Sequence, residues 1–295
     1  AWEQRDIYAC TAQISSVCIQ NGVQFRVHNE RIFGVVFAFG SCGSNETKEV
    51  KAALICLHGD SSTYDKNFID AFKTACANKG LTEEDYTIIT DIPEGTECYD
   101  KAVDFAEAGY DVIFADSFGH EAYMIQAAKE YPDVQFCHAT GTQAHTAGVK
   151  NFHNAFASIY QGRYAAGVVA GLKLKEMIDS GKITAEQAKM GYVGAFTFAE
   201  VISGYTSFYL GAKSVCPDVI MKVQFTGSWY DEKEEKTAAE ALINAGCDLI
   251  SQHADSMGAP TACETAKVPN VSYNGSTAAA CPETFLISSR INWAP

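Results

Sequence analysis

The chain alternates short apolar runs with longer stretches of helical spacing. "KAALICL" (51–57) precedes "DKNFIDAFKTACANKG", "DYTIITDI" precedes "CYDKAVDFAEAG", and "DVIFADS" precedes "HEAYMIQAAKEYP". "VQFCHAT" leads through a long connection to "RYAAGVVAGLKLKEMIDSG". "MGYVGAF", "MKVQFTG" and "CDLISQHA" are each followed by a helical pattern, and "NVSYNG" stands last with none after it. The apolar runs are short and rich in Val and Ile, which predicts strands covered on both faces. The intervening segments place apolar residues three and four apart and stop at Gly80, Gly109 and Gly246, the mark of helices ended by a left-handed residue.

Strands that alternate with helices form parallel sheets with right-handed crossovers. Seven such units exceed one comfortable doubly wound sheet. The expected fold is therefore α/β, two lobes each built on a doubly wound parallel sheet, with "GTQAHTAGVKNFHNAFASIYQG" carrying the passage between them and a ligand cleft between the lobes. In such sheets ligands bind beyond the carboxyl ends of the strands. The loops there collect Asp60, Asn67, Phe68, Phe118, Glu121, Phe196, Phe198, Trp229, Tyr230, His253, Asp255, Tyr273 and Asn274. Aromatic loop tips are costly to hydrate unless they meet something flat, and neighbouring carboxylates and amides suit hydroxyls or ring nitrogens.

Charge narrows the partners. A net charge of −14 with no Lys/Arg cluster argues against nucleic acid. The 11 cysteines show no zinc spacing and no disulfide framework, so Cys56, Cys76, Cys137, Cys216 and Cys247 read as small buried hydrophobes. There is no GxSxG, HExxH, Walker loop or GxGxxG, and His58, Asp60, Ser61 and Ser62 lie too close on one loop to form a triad. No enzyme and no cofactor or metal is expected. The acidic run "DEKEEK" (231–236) reads as a solvated first helical turn, and Tyr205, Phe208 and Tyr209 as mostly core. Near the start, "ERIFGVVFAFGSC" sets Arg31, an apolar run and small residues before Cys42, the order of a bacterial lipoprotein signal. Residues 1–41 then stand outside the mature fold, Cys42 takes the lipid, and 42–50 form a tether.

"TYDKNFIDAF", "RYAAGVVAG", "VGAFTFAEVISGYTSFYLGAKSV", "TGSWYDEKEEKTAAEALINAGCDLISQHADSMGAP" and "VSYNG" together resemble the basic membrane protein family, substrate-binding lipoproteins of ABC transporters typified by a purine-nucleoside receptor. The resemblance implies a type I periplasmic-binding-protein fold: an N-terminal lobe over 51–151, a C-terminal lobe over 152–272, and a clipped hinge return over 273–295. It also implies a base-stacking Phe68 with Asn67 beside it, Glu121 where the family usually has Asp, and a second stacking ring at Phe196 in preference to Phe198. Two positions depart from the pattern. The early acidic residue falls at Gly59 with Asp60 next to it, and the ribose-binding Asp after "YN" falls at Ser276, a weaker grip on a diol than a carboxylate. Asp255 could take its place. Trp229 and Asn274 complete the expected site. The implied protein is an extracytoplasmic, membrane-anchored monomer. It binds a nucleoside-like molecule, purine nucleoside favoured, and closes on a hinge to deliver it to a permease and its ATPase. The alternatives are a riboflavin or signal receptor on the same fold and, from another class, a nucleoside hydrolase.

Overall fold

The computed structural model describes residues 50–289. Cys42 and the segment read as a signal lie outside the described residues, as does nearly all of the tether. The chain divides into two compact units, Phe68–Ala157 with the described residues up to Gly59, and Asp60–Asn67 with residues 158–289.

The first unit carries β1 (Ala52–Ile55), most of α1 (Thr63–Asn78), β2 (Tyr86–Ile89), α2 (Thr96–Glu107), β3 (Val112–Ala115), α3 (Glu121–Glu130), β4 (Gln135–Ala139) and β5 (Phe152–Ala155). Its sheet runs β2-β1-β3-β4-β5 and every pairing is parallel. Period-two alternation explains why both faces of β1 are apolar. Ala53 and Ile55 join α2 and α3 residues such as Ala102 and Met124 in one core, while Ala52, Leu54 and Cys56 meet Ile69, Phe72 and Cys76 of α1 in another.

The second unit carries α4 (Ile159–Asp179), β6 (Lys189–Gly194), α5 (Ala199–Lys213), β7 (Ile220–Phe225), α6 (Glu232–Asn244), β8 (Leu249–Gln252), α7 (Gly258–Ala266), β9 (Asn270–Tyr273) and β10 (Phe285–Ser289). Its sheet runs β10-β9-β8-β6-β7, again all parallel. Read from the other edge this is the order of the first sheet. α4 and α5 cover one face and α6 and α7 the other. Glycine sets how closely α4 and α5 meet: a Cβ on Gly167 would land against the Phe208 carbonyl, and one on Gly211 against that of Tyr164.

The helix stops fall where the sequence puts them. Gly80, Gly109 and Gly246 have φ of 76°, 82° and 82°, a region L side chains avoid. Two strands are absent from the sequence reading. "FHNA", read as part of the passage between lobes, is β5 at the edge of the first sheet, and "FLISS", within the segment read as a hinge return, is β10 at the edge of the second. Cys76, Cys216 and Cys247 are buried as expected, and burial pushes the Cys76 and Cys247 thiols up to about 11. Cys56 is buried too, and Cys137 half-buried. Tyr205 packs edge-on against Tyr192, with ring centroids 5.8 Å apart.

Candidate functional site

A doubly wound sheet has one place where the strand order reverses, and loops leaving the two strands there diverge to leave a crevice. In the first unit the reversal lies between β1 and β3, in the second between β6 and β8. Of the expected site residues, Glu121 follows β3, Phe196 follows β6, Asp255 follows β8, Trp229 and Asn274 follow β7 and β9, and Asn67 and Phe68 lie on α1.

In the first unit the loop after β3 turns through Phe118–His120 into α3, whose first residue is Glu121. Glu121 is buried and held: Gln143 donates to it through its backbone N (2.7 Å) and its side-chain amide (2.9 Å). Glu94, after β2, accepts from Ser117 Oγ (2.5 Å) and Gly119 N (2.7 Å), fixing the same loop. His138, at the end of β4, is buried with Nε2 2.6 Å from the Ser117 carbonyl. Burial holds its pKa down to about 4, so the ring is neutral. Gly141 has no side chain where Glu121, His138 and Asn154 converge, and a Cβ there would strike all three. Phe68 lies on α1, only 9% exposed, whereas Phe118 is 38% exposed.

In the second unit the strand ends carry rings. Phe196 stacks on Phe198 (centroids 5.1 Å apart, planes at 25°) and meets Trp229 edge-on at 4.9 Å. Trp229 lies 6.4 Å from His253, which lies 4.6 Å from Tyr273. The rings thus form one run from the end of β6 across β7 and β8 to β9. Phe196 and Trp229 rest on the core under α6 and α7, which gives them a fixed seat.

Beside this run sits a buried polar pair. Asn274 donates to Asp255 Oδ1 at 3.2 Å, and Asp255 N donates to the Trp229 carbonyl at 3.0 Å. Burial, followed by the charges of Asp65 and Glu235, pushes Asp255 well above the usual carboxylate range. Asn274 is left-handed at φ 61°, a conformation Asn tolerates. Thr63 donates to the Asp255 carbonyl through both N (2.9 Å) and Oγ1 (3.1 Å), tying residues 60–67 to this loop. The structure therefore joins Phe196, Trp229, Asp255 and Asn274. Ser276 is exposed, its hydroxyl accepting from Ala278 N at 3.4 Å. Asp60 is exposed with Lys66 at 3.9 Å, and Asn67 is half-buried on α1.

Two carboxylates of this unit, Glu200 and Glu235, enter the site only with the structure. His253 and Asp255 both lie past the last residue of β8, and both are buried. His253 Nε2 is 2.9 Å from Glu200 Oε2, in the first turn of α5. The acidic run 231–236 is a helix start as expected, with Asp231 capping Glu234 N at 2.9 Å. It is not wholly solvated. Glu235 is fully buried, and its carboxylate accepts from Asp231 N (3.1 Å) and Ser256 N (3.1 Å to Oε2), bridging the Trp229 and Asp255 loops. Burial raises its pKa despite those hydrogen bonds.

Two parallel α/β units of like strand order define the architecture, and solved structures share it. An ABC transporter solute-binding protein from Aeropyrum pernix K1 superposes with a TM-score of 0.70 at 18% identity, over 81% of this chain and 66% of that one. The chain belongs to the Bmp family, PnrA-like ABC transporter substrate-binding proteins, whose model matches residues 61–294. Among relatives, a purine-binding protein of Brucella abortus is 35% identical over 209 residues, 71% of this chain and 55% of that protein. A putative ABC transporter glucose-binding protein of Haloferax volcanii is 35% identical over 189 residues, 64% of this chain and 44% of that one. The chain spans about half the length of these curated relatives.

Proposed function

We propose that this protein captures a nucleoside-like small molecule, a purine nucleoside above others, outside the cell membrane and hands it to the permease of an ABC transporter. The observation that carries the reading is the ring run Phe196–Phe198–Trp229 beside Asp255 and Asn274. A flat base stacks on rings, and each such contact contributes about 1–3 kcal/mol. The amide–carboxyl pair offers both donors and acceptors to polar edges or hydroxyls. Membership in a substrate-binding family and a purine-binding relative support the same choice. Phe68, Asn67, Glu121, Asp60 and Ser276 remain part of the proposed site on the family resemblance. Closure about the ligand and a lipid anchor on Cys42 belong to the same proposal. Among the described residues no helix is long and apolar enough to cross a membrane.

Titration calorimetry with adenosine, guanosine, inosine, free purines, uridine, riboflavin and glucose tests it. A purine nucleoside should bind with micromolar affinity or better, about −8 kcal/mol. Saturation by glucose or riboflavin alone, with nucleosides inert, would overturn the assignment.

A further inference from the structure

The acidic residues that open α6 do not share one environment. Glu232 and Glu234 are exposed, whereas Glu235 is fully buried. The Glu235 carboxyl group lies between two loops. Its Oε1 accepts from Asp231 N at 3.1 Å, on the loop from β7 that carries Trp229. Ser256 N, on the loop from β8 that carries Asp255, donates to Oε2 at 3.1 Å and to Oε1 at 3.3 Å. The bond from Asp255 N to the Trp229 carbonyl, at 3.0 Å, joins the same two loops a second time. The helix starts approach closely there. A Cβ on Gly258, the first residue of α7, would strike the Glu232 carbonyl, and Gly258 N donates to Ser256 Oγ at 3.0 Å.

Helix capping alone does not account for Glu235. Asp231 already caps α6 by accepting from Glu234 N at 2.9 Å, and Glu235 reaches beyond its own helix to a second element. Taking a carboxyl group out of water is costly. Burial raises the Glu235 pKa, and the Ser256 and Asp231 hydrogen bonds act the other way. The donors that offset the cost come from the two loops that bear the ring and the carboxyl of the proposed site. A carboxylate suits the place because both its oxygens accept. A glutamine fills the same volume but in either orientation turns an N–H against Asp231 N or Ser256 N. Groups that bind a ligand need their neighbours to hold them to within about 0.5 Å of the working geometry.

We propose that Glu235 is a positioning residue for ligand binding: it ties the Trp229 loop to the Asp255 loop and so sets the spacing of ring and carboxyl, without touching the ligand itself. This rests on the nucleoside reading of the same site, and the test separates the two. The chain has three tryptophans, so Trp2→Phe with Trp293→Phe leaves Trp229 as the sole reporter. In that background Glu235→Gln is compared with Leu242→Ala, a buried change two turns further along α6, beside Gly191 of β6. Both variants should melt lower than the parent. Only Glu235→Gln should move Trp229 emission to longer wavelength and weaken inosine or guanosine binding, by about tenfold. Parental emission and affinity in Glu235→Gln, or equal changes in Leu242→Ala, overturn the proposal. If the parent binds no nucleoside, the function reading fails, while the emission comparison still decides the role of Glu235. Amide exchange in the parent needs no variant: Asp231 and Ser256 should exchange slowly, and free exchange at either overturns the tie.

Discussion

The two units share one strand order but finish their strand ends in opposite chemistry. In the first, the loops are locked by hydrogen bonds among polar groups: Glu94 to Ser117 and Gly119, Glu121 to Gln143, His138 to Ser117. In the second, rings dominate and the carboxyl groups beside them, Asp255 and Glu235, are pushed toward their neutral forms by burial. The likeness reaches the last connection. β4 passes to β5, and β9 to β10, without an α-helix between them. Topology therefore decides where the loops point, and the loops alone decide what they meet. One sheet end supplies fixed polar partners and the other an apolar seat.

The largest expected effect separates the units by stability. Arg163→Ala removes a fully buried side chain and its bonds to Ser289 and Ser251, at a cost of about 3–5 kcal/mol by analogy with large-to-small core changes. Hydrogen exchange should show lost protection in β6, β8 and β10 and unchanged protection in β1 and β3. Arg163→Met, which keeps more of the volume and so leaves a smaller cavity, should cost less. Equal loss in both sheets would mean that they do not unfold separately.

The second test is pH. His138 is depressed in the folded state, from 6.5 to about 4, so the unfolded chain binds more protons in that window. Its contribution is complete above pH 6.5 and is lost as pH falls toward 4, on the order of 3 kcal/mol. Asp255 is raised, so the folded state holds the extra proton, and stability falls as pH rises from about 3.9 toward its folded value. The two units thus respond with opposite sign. His138→Asn should flatten the acid loss and Asp255→Asn the loss on raising pH, each read from thermal melts at several pH values. The same slope in both variants would break the contrast.

The smallest effect concerns ligand. Phe196→Ala or Trp229→Ala should weaken nucleoside binding by about 1–3 kcal/mol, one to two decades, with calorimetry as the readout. Phe68, only 9% exposed, should behave differently. Phe68→Ala should lower the melting temperature as a core change does, and any affinity loss beyond that decides whether its ring also reaches the base. A Phe196→Ala variant that binds normally would leave the ring run without a ligand role.

Eight of the strands were legible because each was an apolar run ending in a polar or glycine-bearing loop. β5 and β10 were not, and the reason is physical. Unlike the other edge strands, β2 and β7, each follows its neighbour (β4 or β9) without an α-helix between them, so the strand–helix alternation does not point to it, and "FHNA" and "FLISS" carry polar residues that blur the apolar run. At the site, Phe196, Trp229, Asp255 and Asn274 could be placed because one rule, strand end plus loop, locates them all. Glu200 with His253, and Glu235 with Ser256, could not, since each pair joins residues on different elements and only folding reveals the partner. The buried Glu235 also shows that a charge run has two faces once it becomes a helix.

The all-parallel pairing has a consequence in time. Not one described strand pair closes through a hairpin, so each must wait for a crossover to bring its ends together before any ladder bond forms. Loop-closure entropy is lost before contacts compensate it, which places such chains among the slow folders. A protein proposed to work beyond the membrane gains from that delay, because a chain that has not yet closed its sheets is still a chain that can be threaded.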